Sequence, residues 1–286
     1  MDAIAFIGLG VMGAGMAGQL LKAGFPLAVY NRSAERAADL VRNGARLAKS
    51  PQDAAAGAGV VFAMVADDAA SRAVWLGGKG AIAGMQPGAA AVDCSTLSPG
   101  WIAELAEAAK AHGCAFLDAP VTGSKLQAEC GQLLFLVGGE TEALERARPA
   151  FQAMGRGVIH LGPVGSGARM KLINNFLCGV QAAALAEAVT VIEKSGFDRD
   201  AALDILKNGA PGSPLVKGVL ERMVDREYEV NFELDLMQKD LRYAITEGHR
   251  WNVAMTMAAA ALGMFIDASQ KGWGKRDFSA VVEGSR

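Results

Sequence analysis

Apolar and polar positions follow one another in a repeating order along the first half of the chain. A short unbroken apolar run ends in a glycine-rich or polar turn, and a longer mixed segment follows. The runs are "AIAFIGLG" (3–10), "PLAVYNR" (26–32), "GVVFAMVAD" (59–67), "GAAAVDCSTLSPG" (88–100) and "GCAFLDAPVTGS" (113–124). Each has the length and composition of a strand buried on both faces of a sheet. Segments such as "AGMAGQLLKAG" (14–24) and "GWIAELAEAAKAHG" (100–113) read as the helices between them. "QLLFLVGG" (132–139) adds a further strand, and "GVIHLGPVGSG" (157–167) a short strand with a turn. The alternation predicts an α/β, Rossmann-type domain over residues 1–163.

From about residue 167 the rhythm changes. "ARMKLINNFLCGVQAAALAEAVTVIEKSG" (168–196) runs without proline, has only Gly179 inside, and ends on lysine then glycine, a helix stop. Its alanine, leucine and valine content predicts burial over much of its surface. Further helices fit 199–209, 214–225, 233–249 and 253–272. The expectation is an all-α second domain over 164–286, joined to the first by a long interdomain helix.

Composition narrows the classes. Lys+Arg number 28 against 30 Asp+Glu, a balance that gives no sign of a nucleic-acid surface. The 51% hydrophobic content supplies a core, and mean hydropathy is only +0.22. Polar residues interrupt the apolar runs often enough that no membrane span is expected. The start has no basic region ahead of its apolar run, so no signal peptide is expected. Four scattered cysteines (94, 114, 130, 178) form no CxxC pair, and three histidines (112, 160, 249) lie far apart. Neither a disulfide framework nor a metal site is expected. A reduced, cytoplasmic protein follows.

The first turn carries the clearest chemistry. "GLGVMG" places Gly8, Gly10 and Gly13 in G-x-G-x-x-G spacing between a strand and a helix, the frame in which that spacing binds a dinucleotide. Gly8 permits the tight turn, Gly10 lets backbone approach a pyrophosphate, and Gly13 lets helix and strand pack. Leu9, Val11 and Met12 complete the loop, and the helix start offers N–H groups to the anion. At the end of the second strand an acid would bind the adenosine ribose of NAD. This chain has Asn31, Arg32 and Ser33 instead. A guanidinium suits a 2′-phosphate, so NADP(H) is the expected cofactor, with Arg36 adding charge. Ligands of open α/β sheets lie beyond the carboxyl ends of strands. That puts Met64, Val65, Ser95, Thr96 and the stretch Thr122 to Ser124 near the nicotinamide and its substrate.

Lys171 stands early in the long apolar helix, with Asn175 on the same face one turn later. Two readings stay open from these residues alone. One is a lysine that snorkels from an apolar helix. The other is an ammonium that gives its proton to a carbonyl oxygen as hydride arrives at carbon.

Four blocks in this order, "GLGVMG", "DAPVTGS", "GSGARMKLINN" and "KDL" (239–241), make the whole chain similar to the β-hydroxyacid dehydrogenases, which include 3-hydroxyisobutyrate dehydrogenase and tartronate semialdehyde reductase. The resemblance implies that Lys171 is the general acid/base and that Asn175 binds substrate beside it. It implies a substrate turn at Thr122, Gly123 and Ser124. Lys239 becomes a lysine that closes the cleft near cofactor and substrate, with Asp240 after it. Ser95 and Thr96 fall near the nicotinamide ribose. Homodimers or homotetramers are implied as well.

The family's common turn is serine–glycine–glycine, and here it is threonine–glycine–serine. "GSKLQAECGQL" resembles the branch that reduces glyoxylate and succinic semialdehyde, departing from its "KKPAEDG"-like pattern at Gln127 and Cys130. The implied activity is NADPH-dependent reduction of a short semialdehyde or 2-oxo acid. Dehydrogenation of 3-hydroxyisobutyrate or another 3-hydroxy acid is the rival, an imine reductase is a second enzyme alternative, and a dinucleotide-binding scaffold is the non-enzyme alternative.

Overall fold

A computed structural model describes residues 2–286. The chain forms two compact units, Met1–Lys171 and Leu172–Arg286.

In the first unit, β1 (Ile4–Ile7), β2 (Leu27–Tyr30), β3 (Arg46–Leu47), β4 (Val60–Ala63), β5 (Ala90–Asp93) and β6 (Ala115–Asp118) form a parallel sheet. Their order is β3-β2-β1-β4-β5-β6, the doubly wound arrangement that reverses direction between β1 and β4. β6 and then β7 (Val121–Thr122) pair antiparallel with β8 (Leu133–Gly139), which pairs parallel with β9 (Gly155–Gly162). The helices are α1 (Val11–Lys22), α2 (Ala38–Arg42), α3 (Pro51–Ala55), α4 (Asp68–Leu76), α5 (Pro99–Ala111), α6 (Lys125–Glu129) and α7 (Thr141–Met154).

The central strands β1, β4 and β5 are buried at every position. One face packs Phe6, Phe62, Phe135 and Phe151 with Met16 and Leu20 of α1. The other packs Ile7, Val61 and Ala91 with Trp75, Trp101 and Leu105. Burial on both faces explains why these strands read as unbroken apolar runs rather than as alternating ones. β3 has two residues, both exposed, and carries no apolar run that the pattern could reveal.

α8 (Ser166–Ser195) has 30 residues and crosses the boundary between the units. The second unit contains most of it, with α9 (Arg199–Asn208), α10 (Pro214–Asp225), α11 (Leu234–Arg250), α12 (Thr256–Ala268) and α13 (Val282–Ser285). Its core joins Ala182, Ala186 and Val189 of α8 to Val219, Met223, Leu234, Leu241 and Phe265. The buried Asp277 carboxylate accepts the Asn231 and Phe232 N–H groups at 3.0 and 3.1 Å and pairs with Arg222 at 3.2 Å. It thereby fixes the chain just ahead of α11. By length and composition α8 alone among the described residues is apolar enough to cross a membrane. The core helix of a globular protein passes the same test, and 44% of the window that passes it is buried in the protein.

Candidate active site

The glycine loop lies where the sheet reverses. Gly8 has φ +94°, and a Cβ there would stand 2.2 Å from the Met64 carbonyl oxygen. Only glycine fits. A Cβ on Gly13 would collide with the Gly8 carbonyl oxygen, so this glycine too answers to the protein itself. Gly10 differs: a Cβ there meets nothing within 4 Å. Gly10 caps α1 without a side-chain hydrogen bond, and Val11 behind it is exposed. Open space above a helix start, kept free of side chains, fits a pyrophosphate.

Asn31 fastens this loop. Its Oδ1 accepts the Leu9 N–H at 2.8 Å, and its Nδ2 donates to the Ser33 carbonyl at 2.9 Å. Arg32 beside it is exposed and Ser33 half-buried. Beyond β4, the Met64 N–H donates to the Ile7 carbonyl, and the Val65 N–H to Ser95 Oγ at 2.8 Å. Ser95 is set in turn by Asp93, whose Oδ1 accepts the Ser95 N–H while Oδ2 accepts Ser71 Oγ and Trp75 Nε1, each at 2.8 Å. Burial pushes the Asp93 carboxyl above its usual range, and the Ser95, Ser71 and Trp75 hydrogen bonds pull it back. Thr96 follows, half-buried. Asp93 is a supporting residue that the sequence reading missed. Its signal was an acid ending an otherwise apolar strand.

The turn Thr122-Gly123-Ser124 leaves β7 and enters α6. α6 rests on α1 at Gly15, where a Cβ would lie 3.0 Å from the Ala128 carbonyl carbon. Gln19 of α1 also donates to the Glu129 carbonyl. The expected cofactor helix and the expected substrate turn are thus joined within one unit.

Asp118 ends β6, four residues before that turn, and is fully buried. Its Oδ1 accepts the Gly165 N–H and its Oδ2 the Ala168 N–H, both at 2.7 Å. A carboxylate from another strand therefore caps the start of α8, supplying what the helix's own sequence lacks. Burial pushes the Asp118 carboxyl up to about 6, against the pull of those two N–H groups and of Arg169. Lys171, half-buried, follows on the second turn of α8.

In the second unit Asn175 is buried, and its Nδ2 donates to Asp240 Oδ2 at 2.6 Å. Its Oδ1 accepts from Asn174 Nδ2 at 3.0 Å. Asp240 Oδ1 lies 3.0 Å from Lys239 Nζ, an ion pair. Lys239 Nζ also lies 5.0 Å from the Tyr243 ring centroid, within cation–π range. The sequence reading named Asp240 only as the neighbour of Lys239. The structure makes it the shared partner of Asn175 and Lys239. Among the described residues no cluster of histidine, cysteine or carboxylate side chains could hold a metal ion.

A doubly wound sheet, a glycine loop at its reversal and an open helix start define a dinucleotide-binding domain, and its relatives make the chain an NAD(P)(H)-dependent oxidoreductase. Comparison with known proteins gives the family. Residues 3–162 match the NAD-binding domain of 6-phosphogluconate dehydrogenase. Residues 165–284 match the NAD-binding domain of NADP-dependent 3-hydroxyisobutyrate dehydrogenase. The chain is 38% identical over 280 residues to glyoxylate/succinic semialdehyde reductase 1 of Arabidopsis thaliana, covering 98% of this chain and 97% of that protein. It is 38% identical over 288 residues to an NAD-dependent L-serine dehydrogenase of Pseudomonas aeruginosa, again covering 98% and 97%. A 3-hydroxyisobutyrate dehydrogenase structure from Salmonella typhimurium superposes with TM-score 0.91 at 30% identity, covering 99% of both chains. The chain belongs to the β-hydroxyacid dehydrogenase family of the 3-hydroxyisobutyrate dehydrogenase type, close to its glyoxylate/succinic semialdehyde reductase branch.

Proposed function

We propose that this chain uses NADPH to reduce a short semialdehyde or 2-oxo acid, such as glyoxylate or succinic semialdehyde, to the hydroxy acid, with Lys171 as general acid. The observation that carries this reading is Asp118. One buried carboxylate ends the strand that leads into the turn at 122–124 and also caps the helix that bears Lys171. Turn and lysine are built from a common point, which is what a proton donor beside a bound carbonyl requires.

When bound, the nicotinamide cofactor supplies the hydride. The loop Gly8 to Gly13 and the start of α1 hold its pyrophosphate. Arg32, with Ser33, takes the 2′-phosphate. Lys171 gives its proton to the carbonyl oxygen as charge develops there. The Thr122 hydroxyl and the Gly123 N–H hold the substrate's carboxylate. Asn175, oriented by Asp240, adds a donor, and Lys239 adds positive charge for an anionic substrate. In the oxidative direction Lys171 accepts the proton. Asn31, Met64, Val65, Ser95 and Thr96 complete the cofactor contacts. The domain assignment follows: 1–163 for the cofactor, 164–286 for substrate and assembly.

Oxidation of a 3-hydroxy acid is the second reading, favoured by the likeness to the Salmonella structure. A panel of C2 to C4 semialdehydes and 3-hydroxy acids, each run with NADP(H) and NAD(H), separates the two. The first reading expects the highest kcat/KM for glyoxylate or succinic semialdehyde with NADPH. A preference for 3-hydroxyisobutyrate or L-serine with NAD would replace it. Exposed apolar side chains at Ile173, Leu177 and Val191 along α8 support a homodimer or homotetramer, which light scattering would size. Four cysteines, none of them in a disulfide, suit the reducing cytoplasm.

A further inference from the structure

Gln127 occupies the third position of α6, three residues after Ser124. Its Oε1 accepts the Ser124 N–H at 2.8 Å and the Ser124 Oγ–H at 2.6 Å. Ser124 owns one amide proton and one hydroxyl proton, and a single oxygen takes both. Gly123 is packed onto the same side chain. It has φ +121°, and a Cβ there would lie 3.0 Å from Gln127 Cβ and 2.9 Å from Leu133 Cδ2. The Gln127 stem thus supports the turn's backbone while its oxygen holds Ser124.

We propose that Gln127 is a positioning residue that sets specificity: it withdraws Ser124 from recognition and leaves the substrate's carboxylate to the Thr122 hydroxyl and the Gly123 N–H. This rests on the reading above that the turn binds substrate. A carboxylate accepts hydrogen bonds and donates none. A serine whose donors are both engaged therefore offers it nothing, although its side chain still stands in the turn. The threonine–glycine–serine turn behaves toward an anion as threonine–glycine alone. Ser124 and Gln127 are both departures from the patterns expected of the family, and the structure joins them in one contact.

The test uses the full-length enzyme and steady-state kinetics with an aldehyde acid such as succinic semialdehyde. Ser124→Ala removes a hydroxyl already engaged, so KM stays within about twofold of wild type. Gln127→Leu keeps the supporting stem and removes the acceptor. It frees both Ser124 donors, and KM falls about 10-fold or more, the worth of a hydrogen bond to a charged group, with kcat within about twofold. Adding Ser124→Ala to Gln127→Leu returns KM toward the wild-type value. A merely structural role for Gln127 would raise KM in Gln127→Leu with no correction by the second change, and that result overturns the proposal. So does a KM rise in Ser124→Ala alone. Thr122→Val checks the underlying reading, with an expected KM rise of about tenfold or more. No change there would sink the substrate turn and this inference together. A Thr122 effect without the Gln127 and Ser124 pattern sinks the inference only. Melting temperature and NADPH affinity report whether α6 still sits on α1. If Gln127→Leu disturbs either, Ser124→Ala decides alone.

Discussion

The Asp118 carboxylate accepts the Gly165 N–H at 2.7 Å across 47 positions of sequence. A group at the end of a β-strand thereby caps the helix that carries the proposed catalytic lysine. Burial dominates its ionisation and raises its pKa from 3.8 to about 6. The sign follows from the raised value. The contribution to stability is complete below about pH 3.8, where folded and unfolded chains both hold the proton, and it is lost as pH rises through 6.

Asp118→Asn removes this titration. Between pH 4 and pH 7 the wild type should lose about 2 kcal/mol relative to the variant, at 1.36 kcal/mol per pKa unit. Urea melts at several pH values measure it. The change with pH is the readout, because the variant also loses part of the cap at every pH. A wild type that gains on the variant over this window would mean that the two N–H groups outweigh burial.

Lys171→Ala should lower kcat by about 10²–10⁴-fold, the usual worth of a positioned acid. NADPH affinity should stay within about twofold. Steady-state rates and fluorescence binding check the two halves separately. Near-normal turnover would remove Lys171 from the mechanism.

Asn175 and Asp240 form a buried pair at 2.6 Å. Removing the amide leaves a buried carboxylate short of a donor, at a cost of about 1–3 kcal/mol. A double-mutant cycle with Asn175→Ala and Asp240→Asn should show a coupling of that order. Additive effects would contradict the pairing.

Arg32 tests the cofactor preference. Arg32→Asp should weaken NADPH by about 10–100-fold, the worth of one hydrogen bond to a charged group, and improve NADH. Rising salt should narrow the gap between the wild type and Arg32→Asp with NADPH, since Arg32 is exposed and exposed charges are screened. Equal loss with both cofactors would place Arg32 in a structural role.

Local physics made much of this protein legible in its sequence. Strands buried on both faces must be apolar throughout, so β1, β4 and β5 declared themselves. A tight strand-to-helix turn needs glycine, so Gly8 and Gly13 stood out. What remained hidden depended on residues far apart in sequence. Asp118 reads as one more strand residue until the chain returns at Gly165 and Ala168 to bond it. Asp93 reads the same way until Ser71, Trp75 and Ser95 converge on it. Asn175 finds Asp240 65 positions away. Gly15 reads as an ordinary helix residue until α6 packs against it. Gln127 lies three residues from Ser124, yet only the turn's backbone brings its oxygen to both donors. Periodicity and turn chemistry act within a few residues and are written in order along the chain. Buried polar groups must find partners wherever folding brings them, and that choice belongs to the tertiary structure.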